Sequence, residues 1–150
     1  MKSAEFGIQG EIHPKDESGF MGAAIPEIGL FTQAKNQKEL VQSIKDAFFD
    51  LFEKKMDLNV TVESEGRFIL SSTDVTAFYA LILKGVRGDR SFREASRLLN
   101  KRSTSGLQRY ENGETTPSLE TAIDLLSELG DEESDHLLVW MAKEQRAKVG

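Results

Sequence analysis

Residues 91–120, SFREASRLLNKRSTSGLQRYENGETTPSLE, decide the fold of the second half of the chain. Ser91 and Glu94 form a capping box, which predicts the start of a helix. The polar residues 100–102 predict a turn, and a further helix begins at Ser103 and ends at Asn112-Gly113. Apolar side chains recur at helical spacing, and they are Phe92, Ala95 and Leu99 on the first helix and Leu107 and Tyr110 on the second.

The flanking residues also predict helices. Strand patterns stop near residues 71–74, where Thr73 or Asp74 can cap a helix that ends at Gly85, and Pro117 opens a last helix. Residues 72–130 are therefore predicted to form an all-α domain. The inward positions are Val75, Phe78, Tyr79 and Ile82 on the earlier helix, and Leu119, Ala122, Ile123, Leu126 and Leu129 on the last one.

The central pair of helices has the spacing of a helix-turn-helix unit. Such units place the second helix in the major groove of DNA while the first contacts the backbone. Gln108 and Arg109 face outward on the second helix, and these residue types pair with adenine and guanine edges. A solvated polar face is the alternative for any single helix, but the ordered set favours DNA. The predicted DNA contacts are Arg93, Arg97, Lys101, Arg102, Ser103, Thr104, Ser105, Gln108 and Arg109.

Residues 1–70 predict a small α+β domain. Alternating apolar residues from Phe6 to Ile12 predict a half-buried strand, and strands near 20–25 and 30–34 complete a meander. Asn36 with Glu39 caps a helix that reaches about residue 54 and covers one sheet face. Residues 58–70 add one strand or a hairpin. The predicted fold class is therefore α+β, an antiparallel sheet packed by one helix and followed by helices.

The net charge of −6 is unevenly distributed along the chain. Residues 71–113 carry 8 Lys and Arg against 4 Asp and Glu, whereas residues 1–70 carry 8 against 12 and residues 114–150 carry 3 against 9. A basic region between acidic flanks attracts phosphate locally, because salt screens each field within roughly 10 Å. Chance fluctuation is the alternative that charge alone leaves open.

Targeting signals and reactive groups are sparse. The first ten residues lack the apolar core of a signal peptide, and the apolar runs are too short for a membrane span, so we expect a cytoplasmic protein. Glu5 and Glu11 suit a solvated strand face, while His13 and His136 lie apart from any nucleophile, and there is no Cys. We therefore expect neither an enzyme, nor a bound metal, nor a cofactor.

The helical segment resembles a known DNA-binding superfamily. Residues 91–95 (SFREA), 109–113 (RYENG) and 117–121 (PSLET) are similar, in order and spacing, to the helix-turn-helix domain of the Xre/Cro superfamily. The resemblance covers about forty residues. It implies binding to double-stranded operator DNA.

The N-terminal segment is similar to the HicB antitoxin module. The similarity lies in residues 16–20 (DESGF), 26–29 (PEIG), Thr32-Gln33 and the helix through Glu39, Ile44 and Ala47. It implies a degenerate ribonuclease H-like fold and a partner, a HicA-like toxin that cleaves messenger RNA. An antitoxin of this kind binds the toxin and represses the operon that encodes both.

Two apolar sets are candidates for protein contacts. Met21, Ile25, Ile28, Leu30 and Phe31 are candidates for partner binding, although a core role is favoured for most of them. Residues 131–150 are predicted to form a C-terminal helix that packs on the last helix of the all-α domain or on a second protomer. A dimer contact is the favoured role for Leu137, Trp140 and Met141.

Two functions from different classes remain open from the sequence. The first is an antitoxin of a HicAB-type pair, a homo-oligomer that neutralises its toxin and represses its own operon. The second is a stand-alone Xre-type regulator whose N-terminal domain senses a ligand or dimerises. A small basic protein encoded in the neighbouring gene favours the first.

Overall fold

The computed structural model describes residues 4–63, 66–99, 106–130 and 138–142, with side chains described for all of these except 4, 5 and 138–142. The fold is α+β, as the sequence predicts: an antiparallel sheet and several helices. Within the described residues, no helix is both long and apolar enough to cross a bilayer.

Five strands form the main sheet in the order β3-β2-β1-β5-β4. They are β1 (Ala4–His13), β2 (Met21–Ile25), β3 (Leu30–Ala34), β4 (Asn59–Glu63) and β5 (Arg67–Ser72). The first three strands form the predicted meander. For residues 58–70 the sequence left one strand or a hairpin open, and the structure has the hairpin, in which β4 pairs with β5. The central strand β1 pairs with β5 from Phe6↔Ser72 to Glu11↔Arg67.

Short turns connect the first three strands. Between β1 and β2, the Asp16 carboxylate accepts hydrogen bonds from the backbone and the hydroxyl of Ser18, and these bonds lower the pKa of Asp16. Between β2 and β3, a 3-10 helix (Pro26–Ile28) ends at Gly29. Each of these two connections is therefore a short turn closed by its own hydrogen bonds.

Helix α1 (Gln37–Phe52) covers one face of the sheet. The Asn36 side chain accepts a hydrogen bond from the Glu39 amide at 2.9 Å, which confirms the predicted cap. The spacing of Val41, Ile44, Phe48 and Leu51 predicts the inward face of this helix. Ile44 and Phe48 are buried and Val41 is half-buried, but Leu51 is exposed and Leu40 is buried. The buried stripe is therefore displaced toward the start of the helix.

The second half contains four described helices: α2 (Val75–Arg87), α3 (Phe92–Leu98), α4 (Leu107–Glu111) and α5 (Leu119–Leu129). Helix α2 continues past Gly85, the predicted end, because Gly88 with φ of 62° supplies the C-cap. On α5 the predicted stripe is partly wrong. Leu119 and Ile123 are exposed, and the buried residues are Ala122, Leu125, Leu126 and Leu129.

One hydrophobic core extends through the sheet and the helices. Phe78 of α2 lies between Phe6 of β1 and Phe48 of α1, with ring centroids 5.5 and 5.4 Å away. Tyr79 also contacts the Phe6 ring, and its hydroxyl donates to the Ala122 carbonyl of α5 at 2.9 Å. The predicted boundary near residues 71–74 thus separates strands from helices in the sequence, but the packing is continuous across it.

Residues 138–142 form a strand, which corrects that part of the predicted C-terminal helix, whereas residues 131–137 and 143–150 of the prediction lie outside the described residues. This strand, β6 (Leu138–Ala142), pairs antiparallel with the first half of β1, from Ala4↔Ala142 to Ile8↔Leu138. Strand β2 covers β1 on that side only at residues 11–13. The uncovered backbone groups of β1 need hydrogen-bond partners, and β6 supplies them.

We expect Phe78→Ala to lower the free energy of unfolding by about 3–5 kcal/mol, because it removes a fully buried ring from the shared core. Urea denaturation followed by circular dichroism and by Trp140 fluorescence measures the change. Since the core is continuous, both signals should move together in one transition.

Leu51→Ala is the matched control, because Leu51 is 44% exposed and its truncation should change stability by no more than about 0.5 kcal/mol. Two separate transitions, with only the helical one shifted by Phe78→Ala, would contradict a shared core.

Candidate nucleic-acid interface

Helices α3 and α4 carry the predicted DNA-contacting residues. Helix α3 begins as predicted, since the Ser91 hydroxyl accepts the Glu94 amide at 3.1 Å. Helix α4 does not run unbroken from Ser103, because Gly106 has φ of 90° and the helical residues begin at Leu107. Glycine adopts this left-handed conformation at little cost. The helix that carries Gln108 and Arg109 therefore starts later than the spacing indicates.

Four of the predicted contacts lie on the described helices, and all four are exposed: Arg93 and Arg97 on α3, and Gln108 and Arg109 on α4. Leu107 is buried and Tyr110 half-buried, so the inward face of α4 is as predicted. The remaining predicted contacts, Lys101, Arg102, Ser103, Thr104 and Ser105, lie outside the described residues.

A shallow groove of about 340 Å³ lies between the two helices. Phe92 and Ser96 of α3 line one side, and Gln108 and Arg109 of α4 line the other, with Gly106 between them. The outward polar side chains of α4 thus stand beside the open side of α3. This arrangement presents hydrogen-bonding groups and cations on adjacent surfaces.

A buried ion pair fixes the position of α4. The Arg87 guanidinium of α2 donates two hydrogen bonds to the Glu111 carboxylate, Nε to Oε2 at 2.6 Å and Nη2 to Oε1 at 3.0 Å. The side chains are 15% and 3% exposed, respectively, and Glu111 raises the pKa of Arg87. Arg87 also lies 4.3 Å from the centre of the Phe92 ring. The Arg87 side chain therefore links α2, the helix on which it lies, to both α3 and α4.

Arg90 has a structural role rather than the surface role that its position beside Arg93 suggests. Its guanidinium donates to three backbone carbonyls, those of Val86, Arg87 and Leu129. These bonds cap the end of α2 and tie it to the end of α5. Arg90 is thus withdrawn from the exposed basic surface that Arg93 and Arg97 form.

For most of the candidate partner residues, the structure confirms the core role and excludes partner binding. Ile25, Ile28 and Leu30 are 0%, 5% and 1% exposed, so they belong to the core and are not available to a partner. Met21 is half-buried and packs against the same core. Strand β2 packs against α1, and the 3-10 helix packs against α2. Phe31 alone of the five is strongly exposed, at 67%.

The predicted dimer contacts fall on a different element from the one expected. Trp140 and Met141 are residues of strand β6, opposite Phe6 and Glu5 of β1, and Leu137 lies outside the described residues. The apolar run at 137–141 has no periodicity that separates a helix from a strand. The strand is favoured because residues 4–8 of β1 offer backbone hydrogen-bond partners to an extended segment.

Acidic groups and histidines do not converge in the described part of the chain. His13 and Glu11 are 3.7 Å apart on β1, and both side chains are more than half exposed. No set of three or more His, Cys, Asp or Glu with metal-binding spacing occurs among those residues. The exposed polar surface on α3 and α4 is therefore the site with the clearest arrangement.

Comparison with protein-family models, with curated proteins and with solved structures gives no significant match in any of the three. The assignment of the site thus rests on the chain's own geometry and on the sequence resemblances.

Sequence reasoning missed the Arg87–Glu111 pair because its partners are 24 residues apart. A signal was present: Glu111 follows the inward Tyr110 at a position close to the apolar face, where an unpaired carboxylate is costly.

We expect Glu111→Ala to destabilise the protein by about 3–5 kcal/mol, because it leaves the largely buried Arg87 guanidinium without its carboxylate. Chemical denaturation measures the loss. Glu114→Ala, at an exposed position in the following turn, is the control and should stay within about 0.5 kcal/mol.

The double variant Arg87→Met with Glu111→Leu should recover much of that stability, since apolar side chains of similar volume avoid the desolvation of two charges. If Glu111→Ala were as stable as the parent protein, the ion pair would not hold α4 in solution.

Proposed function

We propose that this protein binds double-stranded DNA in a sequence-specific manner through a helix-turn-helix unit, with α4 facing the base edges and α3 facing the backbone. The observation that carries the proposal is the exposure of Gln108 and Arg109 on a short helix clamped by Arg87–Glu111, beside the exposed Arg93 and Arg97. The resemblance of residues 91–121 to Xre/Cro domains supports it.

Different residues would supply the affinity for DNA and the sequence specificity. Arg97 and Arg93 suit phosphate oxygens, which supply salt-dependent affinity without reading sequence. Gln108 presents an amide that pairs with adenine, and Arg109 a planar guanidinium that pairs with guanine. The ion pair behind α4 fixes the helix that bears these side chains to α2.

We further propose that the protein is the antitoxin of a HicAB-type pair, located in the cytoplasm, and that it represses its own operon. The N-terminal sheet, read as a degenerate ribonuclease H-like domain, would hold the HicA-like toxin. The resemblance of residues 16–47 to the HicB module supports this, as does the exposed Phe31 on the sheet edge. Blocking a toxin requires a complementary surface rather than reactive groups. A homodimer, or a higher homo-oligomer, would present two reading units to a palindromic operator.

Gln108→Ala should relax discrimination at one or two base pairs by about 1–3 kcal/mol, because one amide that reads a base edge is lost. The measurement is a gel-shift titration against duplexes selected by the parent protein from a random pool, and against single-base variants of the selected site. Unchanged affinity and unchanged base preference would exclude α4 as the reading helix.

Arg97→Ala should weaken binding to all duplexes alike and reduce the slope of log K against log salt by roughly 1, since one phosphate contact disappears. Lys54→Ala is the matched control: an exposed cation just beyond α1, outside the helical unit, whose loss should leave the salt slope unchanged. Equal slopes for Arg97→Ala and the parent protein would place α3 away from the DNA backbone.

Co-expression with the product of the neighbouring gene tests the antitoxin assignment. We expect that product to arrest growth alone, growth to resume with this protein, and a complex to co-purify. A neighbouring product that is harmless and does not bind would favour the stand-alone regulator, in which the N-terminal sheet senses a ligand or dimerises.

A further inference from the structure

The edge of the sheet at β3 carries an open groove next to α1. The groove has a volume of about 470 Å³ and lies between residues 29–32 and the outer turns of α1. Ser43, Asp46 and Asp50 line its helix side together with Leu51. It lies at the opposite end of the strand order from β4 and is separate from the α3–α4 surface.

Strand β3 has a free edge within the described residues. It pairs with β2 from Met21↔Ala34 to Ile25↔Leu30 and is the terminal strand in the sheet order. A free edge leaves a row of backbone amides and carbonyls that an extended segment from another molecule can complete. The groove therefore continues into a surface that is ready for strand addition.

Apolar side chains are exposed at this same place. Phe31 is 67% exposed and Leu51 is 44% exposed, and both line the groove. Soluble proteins expose large apolar groups singly without consequence, but two beside a free strand edge mark a contact site. Along β3 the alternation of buried Leu30 with exposed Phe31 puts their side chains on opposite faces of the sheet.

The charge of the groove is one-sided. Asp46 and Asp50 line it, and the lining residues include no Lys or Arg. Asp46 accepts a hydrogen bond at 3.0 Å from the Gln42 amide, a donor that carries no charge. A segment with cations on its helix-facing side would meet this charge.

We propose that this groove receives an extended segment of a second, basic protein, which adds a strand to the free edge of β3. Side chains of an added strand alternate between faces, so one set contacts Phe31 and the other points along α1 toward Asp46 and Asp50. The recognised pattern is therefore apolar residues alternating with Lys or Arg. The biological identity of that protein as a toxin rests on the proposed function, whereas its chemistry follows from the groove.

A second copy of this chain is a poorer occupant than a basic protein. Its β3 reads LFTQA and contains no cation, so self-pairing through two β3 edges would leave both acidic grooves without counter-charge. In such a pair, the Phe31 ring of each copy would contact another β3 edge of the same sequence. Charge complementarity therefore favours a different molecule.

Two blocked peptides of equal length test the proposal, Ac-KVKFKVK-NH2 and Ac-EVEFEVE-NH2. Titration into the full-length protein is followed by amide shifts in the two-dimensional NMR spectrum. We expect the Lys peptide to shift the amides of residues 30–34 and to bind roughly tenfold more tightly than the Glu peptide. Asp50→Lys and Phe31→Ala should each weaken the Lys peptide several-fold.

Glu63→Lys is the matched control, because it makes the same charge change on β4 at the other end of the strand order and should leave the affinity unchanged. Thermal melting verifies that the exposed substitutions leave the fold intact.

Unshifted amides at residues 30–34, or equal effects of Asp50→Lys and Glu63→Lys, would overturn the proposal. So would a dimer by light scattering that Phe31→Lys dissociates, since a second copy would then occupy the edge. The peptide-binding result can be distinguished from the result of the toxin co-expression test. Peptide binding with a harmless neighbouring gene product supports the groove alone, and rescue of growth without peptide binding places the partner elsewhere.

Discussion

The contact of Phe78 with Phe6 and Phe48 is the packing interaction on which the rest of the molecule depends. Each ring comes from a different layer: the central strand, the helix that covers the sheet, and the first helix of the second half. Edge-to-face and stacked aromatic contacts add directional preference to the burial of a large apolar area. As a result, α2 has a defined position on the sheet, and it sets the position of the helices that pack on it.

The arginines of residues 87–97 lie in two different environments. Arg87 and Arg90 are turned inward, one to the Glu111 carboxylate and the other to the backbone carbonyls that end α2 and α5. Arg93 and Arg97, a few residues later, are exposed. A basic segment that looks uniform in sequence therefore contains structural cations and surface cations. Of these four arginines, Arg93 and Arg97 are the exposed ones that an anionic ligand can contact directly.

Local chemistry explains what the sequence could predict. The caps at Asn36 and Ser91 were found because a side chain satisfies an amide three residues away, a relation visible in any short window. The α+β class followed from changes in periodicity. Strand β6 and the Arg87–Glu111 pair were not found, because each depends on residues distant in sequence. At the candidate interface, Gln108 and Arg109 were placed on the exposed face of α4, but the start of that helix was not, because it depends on the conformation of Gly106.

Strand β6 has a kinetic consequence for how the chain reaches its fold. It closes a loop between β1 and residues 138–142, the longest separation of any strand pair in the sheet. Contacts between distant residues form slowly, because the entropy of closing the loop is lost before the contact contributes. During synthesis, half of one side of β1 remains an open edge until residues 138–142 have left the ribosome. The helices emerge while the sheet is unfinished, so a nascent chain is most vulnerable to aggregation through β1 in that interval.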